Sequence, residues 1–232
     1  MLQKVSNSLK ILGAKNIKNY GNLKFSNIKT DLSKKLDPTF LEKIKHRKIW
    51  CAASTHDNEE KICALAHKKL KSKYKNLLTI IIPRHIQRSN NIINEMEDLG
   101  LNVQTRSAYN KIGKNTDIFL VDSYGETKSF YKICKTVFLG GSLINHGGQN
   151  PLEPARFGCK ILHGPYVQNF SEVYNFLEKN NLSSRFHNAD QLINSIKKSF
   201  LIKSNFTNKT IKLKKMGSYI LNKTYTDISN YL

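Results

Sequence analysis

Apolar and polar positions alternate along this chain between short apolar runs of strand length and segments with helical spacing. Residues 48 to 53 (Lys-Ile-Trp-Cys-Ala-Ala) read as a strand, followed by the loop Ser54-Thr55-His56 and a helix from about Asp57 to Tyr74. Asp57, with Glu60 three residues later, offers a capping-box start to that helix. A second strand, Leu77 to Ile82, ends at Pro83 and leads through Arg84-His85 to a helix near Asn90 to Leu99, with Gly100 as its stop. Short strands at Asn102 to Thr105 and Asp117 to Asp122 come next. Ser123-Tyr124-Gly125-Glu126 then opens a helix to about Lys135. Strand Thr136 to Leu139, a glycine-bearing loop from Gly140 to Gln149, helix Asn150 to Phe157 and strand Lys160 to His163 complete the alternation. Helices near Phe170 to Lys179, Asp190 to Phe200 and Thr207 to Leu232 close the chain. About six parallel strands with intervening helices predict an α/β fold, a Rossmann-like doubly wound parallel sheet, whose ligands bind beyond the carboxyl ends of the strands.

The first forty residues carry no complete βαβ unit. Ser6 to Gly13 reads as the end of a helix and Asn16 to Tyr20 as a short strand. Gly21 to Phe25 reads as a turn into an extended piece. Residues 1–38 are therefore expected to be the tail of a preceding domain plus a linker, and 39–232 the Rossmann-like domain.

Composition narrows the class. No stretch reaches the roughly 18 consecutive apolar residues of a membrane span, and Met1 to Lys10 lacks the apolar core of a signal peptide, so a cytoplasmic address is expected. Cys51, Cys63, Cys134 and Cys159 form no CxxC pair and sit among apolar residues, which fits reduced, buried thiols rather than disulfides or a zinc site. Thirty-eight Lys and Arg against seventeen Asp and Glu give a formal charge of +21. That charge favours nucleic acid, anionic lipid or a phosphorylated ligand. The chain is also rich in Lys, Asn and Ile together, and no basic run is interleaved with aromatics as single-strand binders require. Solvated surface lysines are thus the stronger reading, and no nucleic-acid partner is expected.

The chemistry-bearing residues follow strands and would share one sheet edge. Gly140-Gly141-Ser142-Leu143 precedes Gly147-Gly148-Gln149-Asn150-Pro151-Leu152-Glu153. There Asn150 is a candidate N-cap, Pro151 suits the first helical position and Glu153 suits N3. Glycines let a ligand approach the backbone, a helix start attracts phosphate, and the Glu153 carboxylate suits a ribose diol. Pro83 and Arg84 end the second strand, where Arg84 or Arg88 can grip a phosphate or carboxylate. Ser54, Thr55 and His56 offer hydroxyls and an imidazole, and Tyr124, Gly125 and Glu126 offer a tight turn with free N–H groups. No Ser-His-Asp, HExxH or P-loop pattern is present, no carboxylate pair stands out and no metal site is expected. The residues alone imply an anion or nucleotide site without evident catalytic machinery.

At these positions the sequence resembles the 3-deoxy-D-manno-octulosonic acid (Kdo) transferases. The match is collinear through Leu12-Gly13-Ala14, Gly21-Asn22-Leu23-Lys24-Phe25, Ala53-Ser54-Thr55-His56, Pro83-Arg84-His85, Gly125-Glu126, Gly140-Gly141-Ser142-Leu143, Asn150-Pro151-Leu152-Glu153-Pro154-Ala155 and Gly164-Pro165. The resemblance implies the C-terminal, donor-binding part of a GT-B glycosyltransferase. Such an enzyme moves Kdo from CMP-Kdo to lipid IVA, a lipid A precursor, in lipopolysaccharide biosynthesis at the cytoplasmic face of the inner membrane. By motif, Pro83, Arg84, Tyr124, Gly125, Glu126, Asn150, Pro151, Leu152 and Glu153 would bind CMP. Ser54, Thr55, His56 and Ser142 are further candidates, and Lys24 would stabilise the transition state. No cofactor beyond the donor substrate is implied. The resemblance places the acceptor site and general base in an N-terminal domain, so a truncated or separately complemented chain is expected, with an anionic membrane surface as a further partner. Tyr124 stands where the family usually has Met, and Gln87 where it usually has Glu. Another sugar-nucleotide enzyme of GT-B fold and a non-catalytic nucleic-acid-binding protein are the alternative readings.

Overall fold

In a computed structural model the described residues are 2–26, 34–108, 112–201 and 207–230. The chain divides into two compact units, residues 1–32 with 207–232, and residues 33–206. The larger unit is built on seven strands: β1 (Lys48–Thr55), β2 (Leu77–Pro83), β3 (Val103–Thr105), β4 (Ile118–Leu120), β5 (Thr136–Leu139), β6 (Lys160–His163) and β7 (Ser183–Arg185). They form one sheet in the order β3-β4-β2-β1-β5-β6-β7, with every pairing parallel. Helices α1 (Leu2–Ile11) and α9 (Thr207–Ser229) belong to the smaller unit. Helices α2 (Pro38–Ile44), α3 (Glu59–Lys71), α4 (Ser89–Asp98), α5 (Thr127–Ile133), α6 (Leu152–Arg156), α7 (Ser171–Lys179) and α8 (Ala189–Leu201) flank the sheet.

The doubly wound parallel sheet is as expected, and its central strands explain themselves. A strand covered on both faces has no polar side to offer, and all seven residues of β2 are buried. On one face Trp50, Ala52 and Ile81 pack with Cys63, Ala66 and Leu70 of α3, Ile92 and Met96 of α4, and Leu192 and Ile196 of α8. The four cysteines are free and buried. Gly100 terminates α4 with a φ of +73°, and the Leu101 N–H returns to the Met96 carbonyl at 3.1 Å, the bond of a left-handed helix stop.

Two local expectations fail for physical reasons. The start of α3 is not a capping box. Asn58 takes a left-handed φ of +67° and caps nothing with its side chain, while Asp57 and Glu60 both turn to the Arg88 guanidinium, at 2.8 Å each. Strand β7 went unrecognised because Ser183-Ser184-Arg185 has no apolar run; its place comes from pairing with β6.

In the smaller unit residues 16–20 form no strand, and Leu23–Ser26 makes a 3-10 turn that carries Lys24 and buries Phe25. A Cβ on Gly217 of α9 would lie 3.0 Å from the Phe25 carbonyl carbon, so glycine lets α9 cross this turn closely. Lys18 pairs with Asp227 of the same helix. The last helix thus groups with the N-terminal segment, not with residues 39–206 as the expected boundary at residue 38 had it. Leu213 and Ile220 are buried, whereas Leu221 is exposed. Tyr231 and the linker positions 27–33 lie outside the described residues.

Candidate functional site

Strands β1 and β5 are neighbours, yet the chain leaves β1 toward β2 on one side and reaches β5 on the other. At their carboxyl ends the flanking connections run to opposite sides, the topological switch point at which doubly wound sheets hold ligands in a crevice. The loops after β1, β2, β4 and β5 carry the sequence candidates to this edge.

A carboxylate that sequence reasoning missed organises the crevice. Glu59, fully buried in the first turn of α3, accepts N–H bonds from Gly141 at 2.8 Å and His56 at 2.9 Å on Oε2. On Oε1 it accepts from Ser142 at 3.1 Å and Leu143 at 2.9 Å. Burial raises its pKa, and these four donors oppose the rise. The glycine loop therefore does not offer Gly141, Ser142 and Leu143 N–H groups to a ligand, because an internal anion already holds them. Gly140 is required for the approach: a Cβ there would sit 2.6 Å from Glu59 Oε2 and from Thr55 Cα.

The expected ligands divide between committed and uncommitted groups. Ser142 is fully buried; its hydroxyl donates to the Leu139 carbonyl at 2.6 Å and accepts from the Gly164 N–H at 2.9 Å, so it braces the loop. Thr55 is buried, and Ser54 holds a left-handed φ of +54°. Glu126 is buried and held by Arg106 through two bonds, Nε to Oε2 at 3.0 Å and Nη2 to Oε1 at 2.9 Å, with Ser123 donating at 2.6 Å. Burial works against its charge, but these donors prevail and its pKa falls below the usual carboxylate value. Its side chain therefore braces the Tyr124-Gly125-Glu126 turn, where Gly125 has a φ of +86°. Arg106→Ala would remove two of the three side-chain donors to the Glu126 carboxylate among the described residues and is expected to cost about 2 kcal/mol, read by urea denaturation.

At the fourth loop the helix is shorter than expected, Leu152–Arg156, and its start uses Asn150 Oδ1 to accept the Leu152 N–H at 3.1 Å. Pro151 and the Leu152 side chain are buried. Glu153 is partly exposed, 3.5 Å from Lys128 Nζ. Pro83 is buried at the end of β2, paired with Thr55. Arg84 is exposed, anchored by its N–H to the Thr55 carbonyl at 2.9 Å, and its guanidinium makes no hydrogen bond or ion pair among the described residues. Tyr124 is 60% exposed. Arg88 is not available, since Asp57 and Glu60 hold it. Lys24 lies in the smaller unit.

Two imidazoles from two other loops flank that of His56. The His56 ring centroid is 4.5 Å from that of His146 and 6.0 Å from that of His85. A Cβ built on Gly141 would touch His146 Cδ2 at 3.1 Å and His56 Cε1 at 3.2 Å, with Gln149 Nε2 at 3.4 Å. His56 was anticipated; His146 was not, because no local spacing links it to residue 56. Among the described residues no cluster of His, Cys, Asp and Glu could hold a metal ion.

No protein-family model matches the chain. It is 37% identical over 158 residues to the 3-deoxy-D-manno-octulosonic acid transferase of Haemophilus influenzae, a match that covers 68% of this chain and 37% of that protein. It is 31% identical over 194 residues to the transferase of the same name from Aquifex aeolicus, 84% of this chain and 51% of that protein. Its structure matches the C-terminal CMP-Kdo binding domain of WaaA from Acinetobacter baumannii with a TM-score of 0.66 and 25% identity, over 79% of this chain and 94% of that one. The trehalose-6-phosphate synthase OtsA, 11% identical with a TM-score of 0.51 over 86% of this chain and 45% of that one, shares the fold.

The parallel sheet and its loop-bearing carboxyl edge define the C-terminal domain of a GT-B glycosyltransferase. Within that class the chain belongs to the 3-deoxy-D-manno-octulosonic acid (Kdo) transferases and corresponds to their C-terminal part. It spans between about a third and a half of the length of the curated relatives it matches.

Proposed function

We propose that this chain forms the donor side of Kdo transfer from CMP-Kdo to lipid IVA, at the cytoplasmic face of the inner membrane. The observation that carries the reading is Arg84, an exposed guanidinium with no hydrogen bond or ion pair among the described residues, whose backbone N–H is held by the Thr55 carbonyl at the switch-point edge of a domain whose relatives are Kdo transferases. As the bond between the sugar's anomeric carbon and the CMP phosphate oxygen breaks, negative charge develops on the departing phosphate, and a preoriented cation stabilises it. Arg84 supplies that charge in the larger unit; Lys24, in the smaller unit, is a transition-state residue by family motif alone. Tyr124 and the Gly125 backbone would meet the base. Asn150 and Glu153 would meet the ribose, Glu153 through its partly exposed carboxylate.

Proton transfer from the acceptor hydroxyl needs a base. The resemblance assigns that base, and the acceptor site, to the N-terminal part of the family, so this chain by itself is expected to show little turnover with CMP-Kdo and lipid IVA. Among the described residues no helix is long and apolar enough to cross a membrane. The basic surface supports docking on anionic lipid, worth about 1 kcal/mol for each Lys or Arg near the headgroups.

Calorimetric titration with CMP, against UMP and AMP, tests the reading. Saturable binding with preference for CMP is expected, weakened about tenfold to a hundredfold in Arg84→Ala, the worth of one charge-assisted phosphate contact. Equal affinity for the three nucleotides, or an unchanged affinity in Arg84→Ala, would contradict it.

A further inference from the structure

His56 lies between two further imidazoles, His85 and His146, and it and His146 also border Gly141. His85 and His146 are exposed, and His56 is half-buried. Each comes from a different carboxyl-edge loop, after β2, β5 and β1 respectively, and the three rings converge within 4.5 and 6.0 Å centroid spacings. Hydrogen bonding fixes the chemistry of the central ring. His56 Nδ1 lies 3.1 Å from the Ser54 carbonyl oxygen. A carbonyl only accepts, so Nδ1 carries the hydrogen and Nε2 keeps the basic lone pair.

The charged and titratable groups that face His56 are few. From α3 comes Glu59, whose Oε2 is 3.8 Å from Nδ1 and already accepts the His56 and Gly141 N–H groups. The turn after β2 brings Arg84 and His85, and the loop after β5 brings His146. Apart from Glu59, whose charge is spread over four backbone donors, the surroundings are all basic or neutral. They are poorly suited to a cation and well suited to an anion.

We propose that His56, with His85 and His146 beside it, forms one anion subsite next to the glycine loop that takes up a proton as it seats an anionic group of the donor, either its bridging phosphate or its sugar carboxylate. This rests on the reading of the crevice as a CMP-Kdo site. Without a ligand, burial first, then the neighbouring imidazoles and Arg84, lower the His56 pKa. Seating an anion reverses the balance, because a negative charge beside the ring favours its protonated form. By reciprocity, whatever raises the imidazole's proton affinity on binding makes the anion bind more tightly as pH falls. The proton goes to Nε2 of His56. Gln149, with its amide at the same spot, adds a neutral donor.

The test is titration of the full chain between pH 5.5 and 8.5 with cytidine, CMP methyl ester and CMP-Kdo, with proton uptake read by calorimetry in buffers of different ionisation heat. The two phosphodiesters keep a fixed phosphate charge over this range, unlike CMP, whose second ionisation near pH 6 would confuse the slope. Affinity for an anion seated here is expected to rise as pH falls, up to about tenfold per pH unit for one proton taken up, while cytidine stays flat. Equal slopes for the ester and CMP-Kdo identify the phosphate as the seated group; a slope for CMP-Kdo alone identifies the carboxylate. His85→Gln and His146→Gln, both at exposed positions, are expected to flatten the slope, an effect that a purely structural role would not produce. Binding that is equally tight at every pH, or a slope that survives in both variants, would overturn the subsite and leave the donor reading intact. No binding of any of the three ligands at any pH would overturn the donor reading and the subsite with it.

Discussion

Glu59→Gln is expected to lower the stability of the larger unit by about 2–5 kcal/mol, a shift of some 5–15 °C in the thermal midpoint. The carboxylate satisfies four backbone N–H groups from two loops, His56 on one side and Gly141, Ser142 and Leu143 on the other. An amide offers one acceptor oxygen and turns its own NH2 toward two of those donors, which then stay buried and unpaired. The side chain is fully buried, so water cannot take its place. Circular dichroism during heating and urea titration measures the loss. A change below about 0.5 kcal/mol would mean that the glycine loop keeps its shape without the internal anion.

The second large effect is acid sensitivity. His67, a residue of α3, is fully buried against Thr79 of β2 and Asp117. Its Nε2–H donates to Asp117 Oδ1 at 3.3 Å, and its Nδ1 accepts from the Thr79 hydroxyl at 2.8 Å. Burial outweighs the attraction of Asp117 and pushes its pKa down to about 4, from 6.5. Between those values the unfolded chain binds a proton that the folded chain refuses, so stability rises with pH across this window and is lost as pH falls through it. One such group is worth about 3 kcal/mol. Asp117 and Glu126, whose pKa values are lowered, contribute stability above the ordinary carboxylate range and lose it only at lower pH. Glu59, raised by burial, slopes the opposite way, so the diagnostic is the difference between the parent and His67→Gln. Urea denaturation at pH 4.5 and 7 is expected to show a smaller loss in the variant. An identical loss in both chains would remove His67 from the account.

Much of this fold was legible locally. The apolar runs of β1, β2, β5 and β6 appear within two residues of their expected limits, since each is buried on both faces and bounded by turn residues. Gly100 stopped α4 as read. What the sequence could not show depends on contacts between distant residues. Glu59 in the first turn of a helix reads as a helix-end charge, yet three of its four partners lie 82 to 84 residues away. The pairing of Arg88 with Asp57 and Glu60 overrode a plausible cap, and β7 is a strand only because β6 lies beside it. The loops after β1, β2, β4 and β5 share one sheet edge, as strand order and loop position led one to expect, but which of their side chains are held by other protein groups was not legible. The side chains of Ser142 and Glu126, expected among the ligand-binding residues, are held by other groups of the protein. His146, which no motif marked, borders Gly141 with His56.

The central claim is that a cytidine nucleotide binds at the carboxyl edge of this sheet, against loops that internal carboxylates hold in place. The most direct measurement is amide chemical-shift mapping of the chain during titration with CMP. Large shifts are expected at Arg84, Tyr124 to Glu126 and the residues around Asn150 and Glu153, while the Gly141, Ser142 and Leu143 amides, bonded to Glu59, move little. Shifts concentrated at the opposite edge, around the basic cleft lined by His46, Arg47, Lys75 and Lys114, or no saturable shifts at all, would contradict the account.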